Sequence, residues 1–412
     1  RVDEDEDGST EDVVVRPSVF IFDVTNPEEK PELLAELSHP NMGYTLGKPA
    51  LIKRRVAGAT WGSVQENRWL LVFGSGPTDL DTATSDQNAN LYAYDLNARE
   101  WASDWTDGLK TVTLEGNAYI SDISVEDWDR DYVDDVLYFG VNTGDASAPD
   151  GRLARLRLRS DQGASGWLSN SDVSTLSDVG RTVIGAPLAK SDVYGQRWVY
   201  AGTGRVLVGG DNYGTQQEYF FGIKEPVDTS YELTYASVST GQLLDISNIQ
   251  VFTNPDEIKN GPSGVDNPAE LAVLINESYD GWKRTLTHSG SNPSGRSDLS
   301  PTSYLNTVTF AEYIPSGDKC EPEGQSYLWT IGGSTGVADK TNYLDYNEDG
   351  NGQIELLPQL DMGQGKTGGT SGQNGGENVV HDSTGRVTVV SPYQILPTLR
   401  RQSWRQIFDI DF

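Results

Sequence analysis

Short apolar runs separated by turns rich in glycine, asparagine and aspartate recur along the first half of the chain. The first, residues 17–24 (PSVFIFDV), is rich in β-branched and aromatic side chains and predicts a buried strand. After it, one unit repeats: a short apolar strand, a strand that ends in glycine, and a strand with alternating aromatic or apolar residues. The three copies are residues 47–52, 68–76 and 90–96; residues 119–125, 135–144 and 151–158; and residues 184–190, 197–204 and 218–224. The glycine-ended strands recur at roughly 65-residue intervals, a period typical of repeat architectures.

This pattern predicts an all-β fold. Short strands joined by turns, with almost no helical periodicity, argue against an α/β fold. Four-stranded blades arranged around an axis, a β-propeller, fit the pattern best. After residue 225 the rhythm weakens, and strands are predicted at residues 270–275, 308–314 and 327–333, with long loops such as residues 289–301 between them.

The domain organisation follows from the same pattern. Residues 1–16 are predicted to be a flexible acidic arm, because residues 1–12 carry too little apolar material to pack. Residues 17–412 are predicted to form a single propeller domain with irregular, loop-rich blades at about residues 226–378. The last strands, in residues 385–392 and 402–410, are predicted to complete the blade that residues 17–24 begin, which would remove a free sheet edge.

Composition and charge argue against some classes of partner. The chain of 412 residues is long enough for a large core, and its formal net charge of −30 argues against nucleic acid as a partner. No apolar run reaches the ~18 residues needed to cross a bilayer, so direct membrane insertion is not expected. Arg1 follows no leader, and any export signal is expected to lie outside this fragment. Cys320 is the only cysteine, so an internal disulfide is impossible and the redox compartment stays open.

A first candidate cation loop lies at residues 127–135 (DWDRDYVDD). Its odd positions carry Asp127, Asp129, Asp131 and Asp135, while Val133 at position seven would contribute its backbone carbonyl. Calcium takes six to eight oxygen ligands, and alternate positions of a compact loop can supply them. Without a cation, carboxylates at contact distance repel one another by about 1 kcal/mol per pair even in water. The pattern therefore predicts a calcium site, and the alternative is a solvated acidic turn.

A second candidate loop lies at residues 344–355 (LDYNEDGNGQIE) and can be aligned in two phases. One phase uses Asn347, Asp349, Asn351, Gln353 through its carbonyl, and Glu355, with an inward apolar Ile354. The other phase begins at Asp345 and places Gly352 where the inward apolar residue belongs. The first phase fits calcium better, although its lower charge predicts weaker affinity. A turn rich in asparagine and glycine is the alternative.

Patterns for catalysis are weak. Residues 363–376 contain Gly-Lys-Thr, but a phosphate-binding loop needs a glycine five residues before Gly365, where Leu360 stands. A flexible loop is predicted there instead. The three histidines lie far apart in the sequence, and no nucleophile elbow or paired catalytic carboxylates stand out. A non-enzymatic protein is expected.

The residues also resemble a known family. Residues 17–52, with RWLLVFGSG, NLYAYDL and the acidic ladder at 127–135, are similar to the carboxy-terminal domain of PilY-type adhesins, which are associated with type IV pilus tips. The resemblance implies a modified seven-bladed propeller related to quinoprotein dehydrogenases. It also implies calcium at Asp127, Asp129, Asp131, Val133 and Asp135. The chain has no Arg-Gly-Asp, so the integrin binding of some members is not implied.

The resemblance implies a function at the cell surface. Calcium occupancy would regulate pilus extension and retraction, twitching motility and attachment. The expected partners are minor pilins of the pilus tip complex and a host or surface receptor. Two alternatives remain: a quinone-dependent dehydrogenase, whose usual vicinal cysteine pair Cys320 alone cannot form, and an integrin-like calcium propeller. The latter would need acidic ladders in the turns at residues 57–67 and 191–196, which lack them.

Overall fold

The computed structural model describes residues 17–55, 67–159, 166–253, 256–288, 290, 292–318, 324–340, 342–348, 354–372, 378–383, 387–390 and 393–394. The named elements of its first half are strands and two short 3-10 turns, at Thr106–Gly108 and Gly209–Tyr213. The strands are β1 (Val19–Asp23), β2 (Glu32–Leu37), β3 (Ala50–Arg55), β4 (Asn67–Gly74), β5 (Asn90–Asp95), β6 (Glu100–Trp101), β7 (Leu109–Thr111), β8 (Tyr119–Glu126), β9 (Val136–Thr143), β10 (Asp150–Arg157), β11 (Asp172–Ser177), β12 (Leu188–Ser191), β13 (Arg197–Gly202) and β14 (Tyr219–Lys224).

The second half adds an α-helix and shorter strands, with a 3-10 turn at Thr240–Gln242. Its elements are β15 (Leu244–Asp245), β16 (Gln250–Thr253), β17 (Asp256–Lys259), α1 (Pro268–Ser278), β18 (Gly281–Thr285), β19 (Thr302–Tyr304), β20 (Thr307–Ile314), β21 (Gln325–Gly332), β22 (Asn342–Tyr343), β23 (Asp345–Glu348), β24 (Ile354–Leu357), β25 (Gln359–Gln364), β26 (Thr367–Gly372), β27 (Asn378–Asp382), β28 (Val387–Val390) and β29 (Tyr393–Gln394). No helix in the described ranges is both long and apolar enough to cross a bilayer.

The three predicted copies of the repeat each form an antiparallel sheet. Strands β3, β4 and β5 pair in order, as do β8, β9 and β10, and then β12, β13 and β14. The second sheet adds β11 to make four strands, the usual content of a propeller blade. The predicted all-β class and the predicted order of strands within the copies are therefore confirmed.

The later sheets are less regular because they combine distant segments. Strand β18 joins the third sheet beside β14, and β15 pairs with it in parallel. A further sheet has the order β19-β20-β21-β25, and another has the order β17-β16-β24-β23. Strands β26, β27 and β28 form a sheet of their own, β22 pairs with β29, and β1 pairs with β2.

The core is built from side chains that project between neighbouring sheets. Phe220 stacks on Phe310 with ring centroids 3.7 Å apart, and Phe310 stacks on Trp329 at 5.8 Å. These contacts join β14 to β20 and β21, which belong to different sheets. Each such fully buried aromatic side chain stabilises the fold by about 2 kcal/mol relative to exposure.

The strand predicted at residues 270–275 is wrong, because this segment is part of α1. The Asn267 side chain accepts a hydrogen bond from Glu270 N (3.0 Å), and the Glu270 carboxylate accepts one from Asp266 N (2.8 Å). Pro268 stands at the first helical position, where its missing N–H costs nothing. Leu271 and Ile275, four residues apart, are the buried side chains of the helix.

The part of residues 289–301 that the structure describes lacks regular strands, as predicted for a loop, and Arg296 and Ser297 within it are buried. Two other expectations need correction. The flexible loop predicted at residues 363–376 is wrong in its centre, because Thr367–Gly372 is a strand, β26, paired with β27. Strand β28 pairs with β27 and not with β1, whereas residues 402–410 lie outside the described residues.

Candidate metal centre

The acidic loop, residues 127–135, connects β8 to β9. These strands are antiparallel neighbours, and the last register pair before the loop joins Glu126 to Val136. Asp135 N donates to Glu126 O (3.0 Å), which closes the base of the loop. Because β9 is buried along almost its whole length, one end of the loop is held rigidly in the core.

Within the loop, carboxylates bind backbone N–H groups. Asp127 accepts hydrogen bonds from the backbone of Arg130 (2.7 Å) and Tyr132 (2.9 Å). Asp129 Oδ1 accepts one from Asp131 N at 3.0 Å. Arg130 and Tyr132 have φ angles of 61° and 72°, in the left-handed region that non-glycine residues seldom adopt. The chain is therefore curled tightly, with its acidic side chains brought back over its own backbone.

This curl brings three of the five predicted first-loop ligands together. Carboxylate oxygens of Asp127, Asp129 and Asp135 all lie within 4.8 Å of one another. Asp131 is exposed, and its Oδ1 accepts a hydrogen bond from Val133 N (2.7 Å). Clustered carboxylate oxygens are hard ligands suited to Ca²⁺, Mg²⁺ or Mn²⁺, and each retains lone pairs beyond those bonded to backbone N–H groups. The donor set therefore fits a divalent cation.

Two flanking acids have raised pKa values. Burial, followed by the charge of Asp127, raises the pKa of Glu126 to about 7. Burial also raises the pKa of Asp134 to about 6, against the lowering effect of its hydrogen bond from Lys53 N. A bound cation would favour the charged forms of both groups, so metal binding is expected to release protons near neutral pH.

Asp134 fastens the loop to the preceding sheet. Lys53 N, on β3, donates to Asp134 Oδ2 (2.5 Å), and Asp134 N donates back to Lys53 O (3.1 Å). The indole of Trp167 donates to Asp134 O at 3.2 Å. The position of the loop is thus set by its own sheet, which contains β8 and β9, and by the preceding sheet, which contains β3.

Trp128 fastens the loop to the following sheet. Its backbone N–H donates to Asp135 Oδ2 (2.9 Å), and its indole N–H donates to the hydroxyl of Tyr138 (3.1 Å). That hydroxyl donates to Glu225 Oε1, one residue beyond the end of β14. Arg155 Nη1 binds the other oxygen of Glu225, and both side chains are completely buried. The sequence analysis missed this network, because its members are far apart in the chain.

The second predicted loop lies partly outside the described residues, as do Asp349, Asn351 and Gln353. The flanking strands β23 and β24 form an antiparallel hairpin in which Asn347 pairs with Glu355 and Asp345 pairs with Leu357. Glu355 Oε1 accepts a hydrogen bond from Gln250 Nε2 at 2.7 Å. A hairpin at this position is consistent with either phase, and both phases stay predictions.

Fold and site together define a mainly β protein of several small sheets, with a carboxylate cluster on the connection between β8 and β9. The crystal structure of the Pseudomonas aeruginosa PilY1 C-terminal domain is similar, with a TM-score of 0.63 and 17% sequence identity. The match covers 92% of this chain and 78% of that one. The predicted likeness to a PilY-type carboxy-terminal domain, with its propeller-type fold, is confirmed at the level of the fold. The number of seven blades stays a prediction.

Two other solved structures are too dissimilar to this chain to inform its fold or function. A thermostable family-43 glycoside hydrolase has a TM-score of 0.28 at 10% identity, covering 86% of this chain and 96% of that one. The PQQ-bound form of aldose sugar dehydrogenase from Streptomyces coelicolor has a TM-score of 0.22 at 12% identity, covering 84% and 98%. No protein-family model matches the chain, and no curated protein matches it.

Proposed function

We propose that this chain is a calcium-binding domain of a type IV pilus-associated adhesin, and that it acts by binding and not by catalysing a reaction. The observation that carries the proposal is the convergence of the Asp127, Asp129 and Asp135 carboxylates on one connection between strands. The likeness in fold to the PilY1 C-terminal domain supports the biological setting.

In this proposal the three converging carboxylates are ligands. Asp131 would bind through its side chain or a bridging water, and the carbonyl of Val133 would complete the set. Calcium, with its flexible coordination of six to eight oxygens, suits an irregular loop better than magnesium, which demands near-ideal octahedral geometry. Asn347, Asp349, Asn351, Gln353 and Glu355, or Asp345 in the other phase, remain the proposed ligands of a second, weaker calcium site.

Calcium would act by fixing the position of the loop. Asp134 bonds the loop to the sheet before its own, and Trp128 reaches the sheet after it through the Tyr138 hydroxyl and Glu225. A cation that fixes the loop would therefore also fix the relative position of these sheets. Binding to the folded state alone stabilises it by RT ln(1 + [L]/Kd), about 2.7 kcal/mol when calcium exceeds Kd by a hundredfold. Calcium would thereby change which surface the domain presents to its partners.

The proposed setting is outside the cell, at the pilus tip. Minor pilins of the tip complex and a host or surface receptor are the proposed partners. Calcium occupancy would regulate pilus extension and retraction, and through them twitching motility and attachment.

Calorimetric titration of calcium tests the proposal. Asp129→Asn and Asp135→Ala are expected to weaken the tighter binding event at least tenfold, because each removes a converging carboxylate. Asp145→Asn is the matched control, since Asp145 is another exposed aspartate that accepts a hydrogen bond from a backbone N–H two residues later (Ser147, 2.8 Å), at the far end of β9. It should bind calcium as the wild type does. An Asp129→Asn isotherm identical to that of the wild type would exclude the first loop as the site.

The pilus setting needs a separate test in cells. The same three substitutions, made in a piliated strain that produces the protein containing this chain, should reduce twitching zones for Asp129→Asn and Asp135→Ala but not for Asp145→Asn. Normal twitching in a strain whose purified variant no longer binds calcium would exclude the regulatory role while leaving calcium binding intact.

A further inference from the structure

A large cavity lies far from the acidic loop in sequence, where strands of three sheets meet. Its volume is about 760 Å³, and its wall includes residues from β16, β18, β21 and β24. Pockets that bind small molecules commonly measure ~300–1,000 Å³. The cavity is therefore large enough for a ligand the size of a monosaccharide, a disaccharide or a short peptide.

Arg284, on β18, lies in the wall of this cavity and is only 5% exposed. Its guanidinium makes three long hydrogen bonds to backbone carbonyls: two to Gly336 O, at 3.3 and 3.4 Å, and one to Ser247 O at 3.4 Å. It lies 5.1 Å from the ring centroid of Trp329. Within the described part of the chain, no carboxylate comes within 4.0 Å of it.

Two of the other buried arginines each pair with a carboxylate. Arg155 pairs with Glu225 at 2.5 Å, and Arg205 pairs with Asp211 at 2.9 Å. The carboxylates whose charges act on Arg284 are Asp245, which is exposed, and then Glu312, which is buried. The two oxygens of Glu312 already accept hydrogen bonds from Thr287 N (2.5 Å) and the Trp329 indole (2.7 Å). Burial lowers the pKa of Arg284 to about 10, so it stays charged at neutral pH. A buried cation without a paired anion is costly, and an anionic ligand group would offset that cost.

Three other polar side chains of the cavity wall are hydrogen-bonded to one another. Asn260 Nδ2 donates to Gln250 Oε1 (3.1 Å), and Gln250 Nε2 donates to Glu355 Oε1 (2.7 Å). All three line the same cavity. Amide groups supply donors as well as acceptors, so this row suits a ligand rich in hydroxyl or amide groups.

We infer that this cavity binds a small ligand with one carboxylate flanked by hydroxyl or amide groups. The carboxylate pairs with the Arg284 guanidinium in a charge-assisted hydrogen bond. The row formed by Asn260, Gln250 and Glu355 binds the neighbouring hydroxyl or amide groups. Acidic sugars and the carboxyl ends of short peptides share this chemistry. The net charge of −30 disfavours polyanions, which limits the ligand to one or few negative charges.

Ligand-observed NMR and calorimetry test this inference with defined probes. Galacturonate and N-acetylneuraminate represent acidic sugars, N-acetyl-alanyl-alanine represents a peptide end, and galactose and the corresponding peptide amide are the neutral matches. At least one carboxylate probe should bind, and its neutral match should bind at least tenfold more weakly. Whichever probe class binds identifies the source of the carboxylate.

Variants connect the binding to these residues. Arg284→Met is expected to weaken binding of the carboxylate probe at least tenfold, and Gln250→Ala and Asn260→Ala should each weaken it about threefold or more. Gln216→Ala changes an amide that hydrogen-bonds Ser147 elsewhere in the fold and should leave binding unchanged. If Arg284→Met does not fold, the two amide variants decide. No binding by any carboxylate probe at millimolar concentration, equal binding of the neutral matches, or wild-type binding by both amide variants would overturn the inference.

Discussion

The hydroxyl of Tyr138 donates a hydrogen bond to Glu225 Oε1 over 2.6 Å in the interior, across a separation of 87 positions in the chain. Tyr138 also accepts a hydrogen bond from the indole of Trp128, and Glu225 also binds Arg155. A satisfied polar network in a low-dielectric interior holds its members in one arrangement, and removing one member leaves the others unpaired. The loop of the candidate metal centre is therefore attached to a rigid part of the core.

Tyr138→Phe is expected to lower the free energy of unfolding by about 1–3 kcal/mol, because the Trp128 indole loses its acceptor and Glu225 loses a donor. Tyr92→Phe is the matched control, since the Tyr92 hydroxyl is buried without a hydrogen-bond partner in the described structure. Urea unfolding in EDTA measures the free energy of unfolding of both variants without a contribution from bound calcium. Equal losses in the two variants would contradict a stabilising role for the network.

Glu225→Gln should be more harmful, since it leaves the buried Arg155 guanidinium without its counter-charge. Breaking a buried ion pair on one side typically costs about 3–5 kcal/mol. The control is Asp172→Asn, which removes the partner of Arg159 from an ion pair whose aspartate is 65% exposed. Exposed pairs contribute about 0–1 kcal/mol, so thermal unfolding should separate the two variants clearly. A Glu225→Gln protein as stable as the wild type would show that Arg155 is not held by this pair.

Glu218 predicts a dependence of stability on pH. Burial raises its pKa from 4.5 to about 7, although the hydroxyl of Thr203 and the charges of Arg181 and Arg296 oppose the rise. Between these two values the folded state holds a proton that the unfolded chain has released, so stability falls as pH rises through this window. The contribution is lost at about 1.4 kcal/mol per pH unit, up to roughly 3 kcal/mol.

Glu218→Gln removes this contribution because its side chain does not titrate. From pH 5 to pH 8, the unfolding free energy of the wild type should therefore fall relative to that of the variant. Urea unfolding in EDTA measures both values. Other raised acids, such as Glu126, titrate in both proteins and cancel in the difference. Parallel curves for the two proteins would contradict the shift assigned to Glu218.

Gly222, on β14, allows a close contact with Trp282 of β18. A Cβ atom at this position would lie 2.3 Å from Cε2 of the indole, whose side chain is completely buried. Gly222→Ala should therefore cost about 1–3 kcal/mol, the usual range for overpacking. Gly209→Ala is the control, because nothing lies within 4 Å of a Cβ atom there. Similar melting temperatures for the two variants would mean that Trp282 can move without loss.

The regular part of the fold could be predicted because its information is local. Strands β3 to β5, β8 to β10 and β12 to β14 pair with neighbours along the chain, so apolar runs and turns were enough to order them. The acidic loop was also local, and the alternation of its aspartates predicted three side chains that the structure brings together.

The failures have physical reasons as well. In α1, residues 270–275 form an apolar run too short to distinguish a strand from a helix by periodicity, and the capping pattern of Asn267 and Glu270 was the signal that could have decided. The cavity around Arg284 draws its wall from residues 247 to 359, so no local pattern could have revealed it. The pair of Tyr138 and Glu225 was equally hidden from the sequence.

The pairing of β16 with β24 has a consequence for biosynthesis. Gln250 meets Glu355 only after a further 105 positions of chain have been made, whereas β3 to β5, β8 to β10 and β12 to β14 pair segments that follow one another in the chain. The early sheets can close as they leave the ribosome, but the β16–β17 hairpin must wait with Val251 and Phe252 uncovered. During this delay the unpaired edge of β16 can pair with strands of other nascent chains. Chaperone dependence and aggregation of truncated products should therefore concentrate in the second half of the molecule.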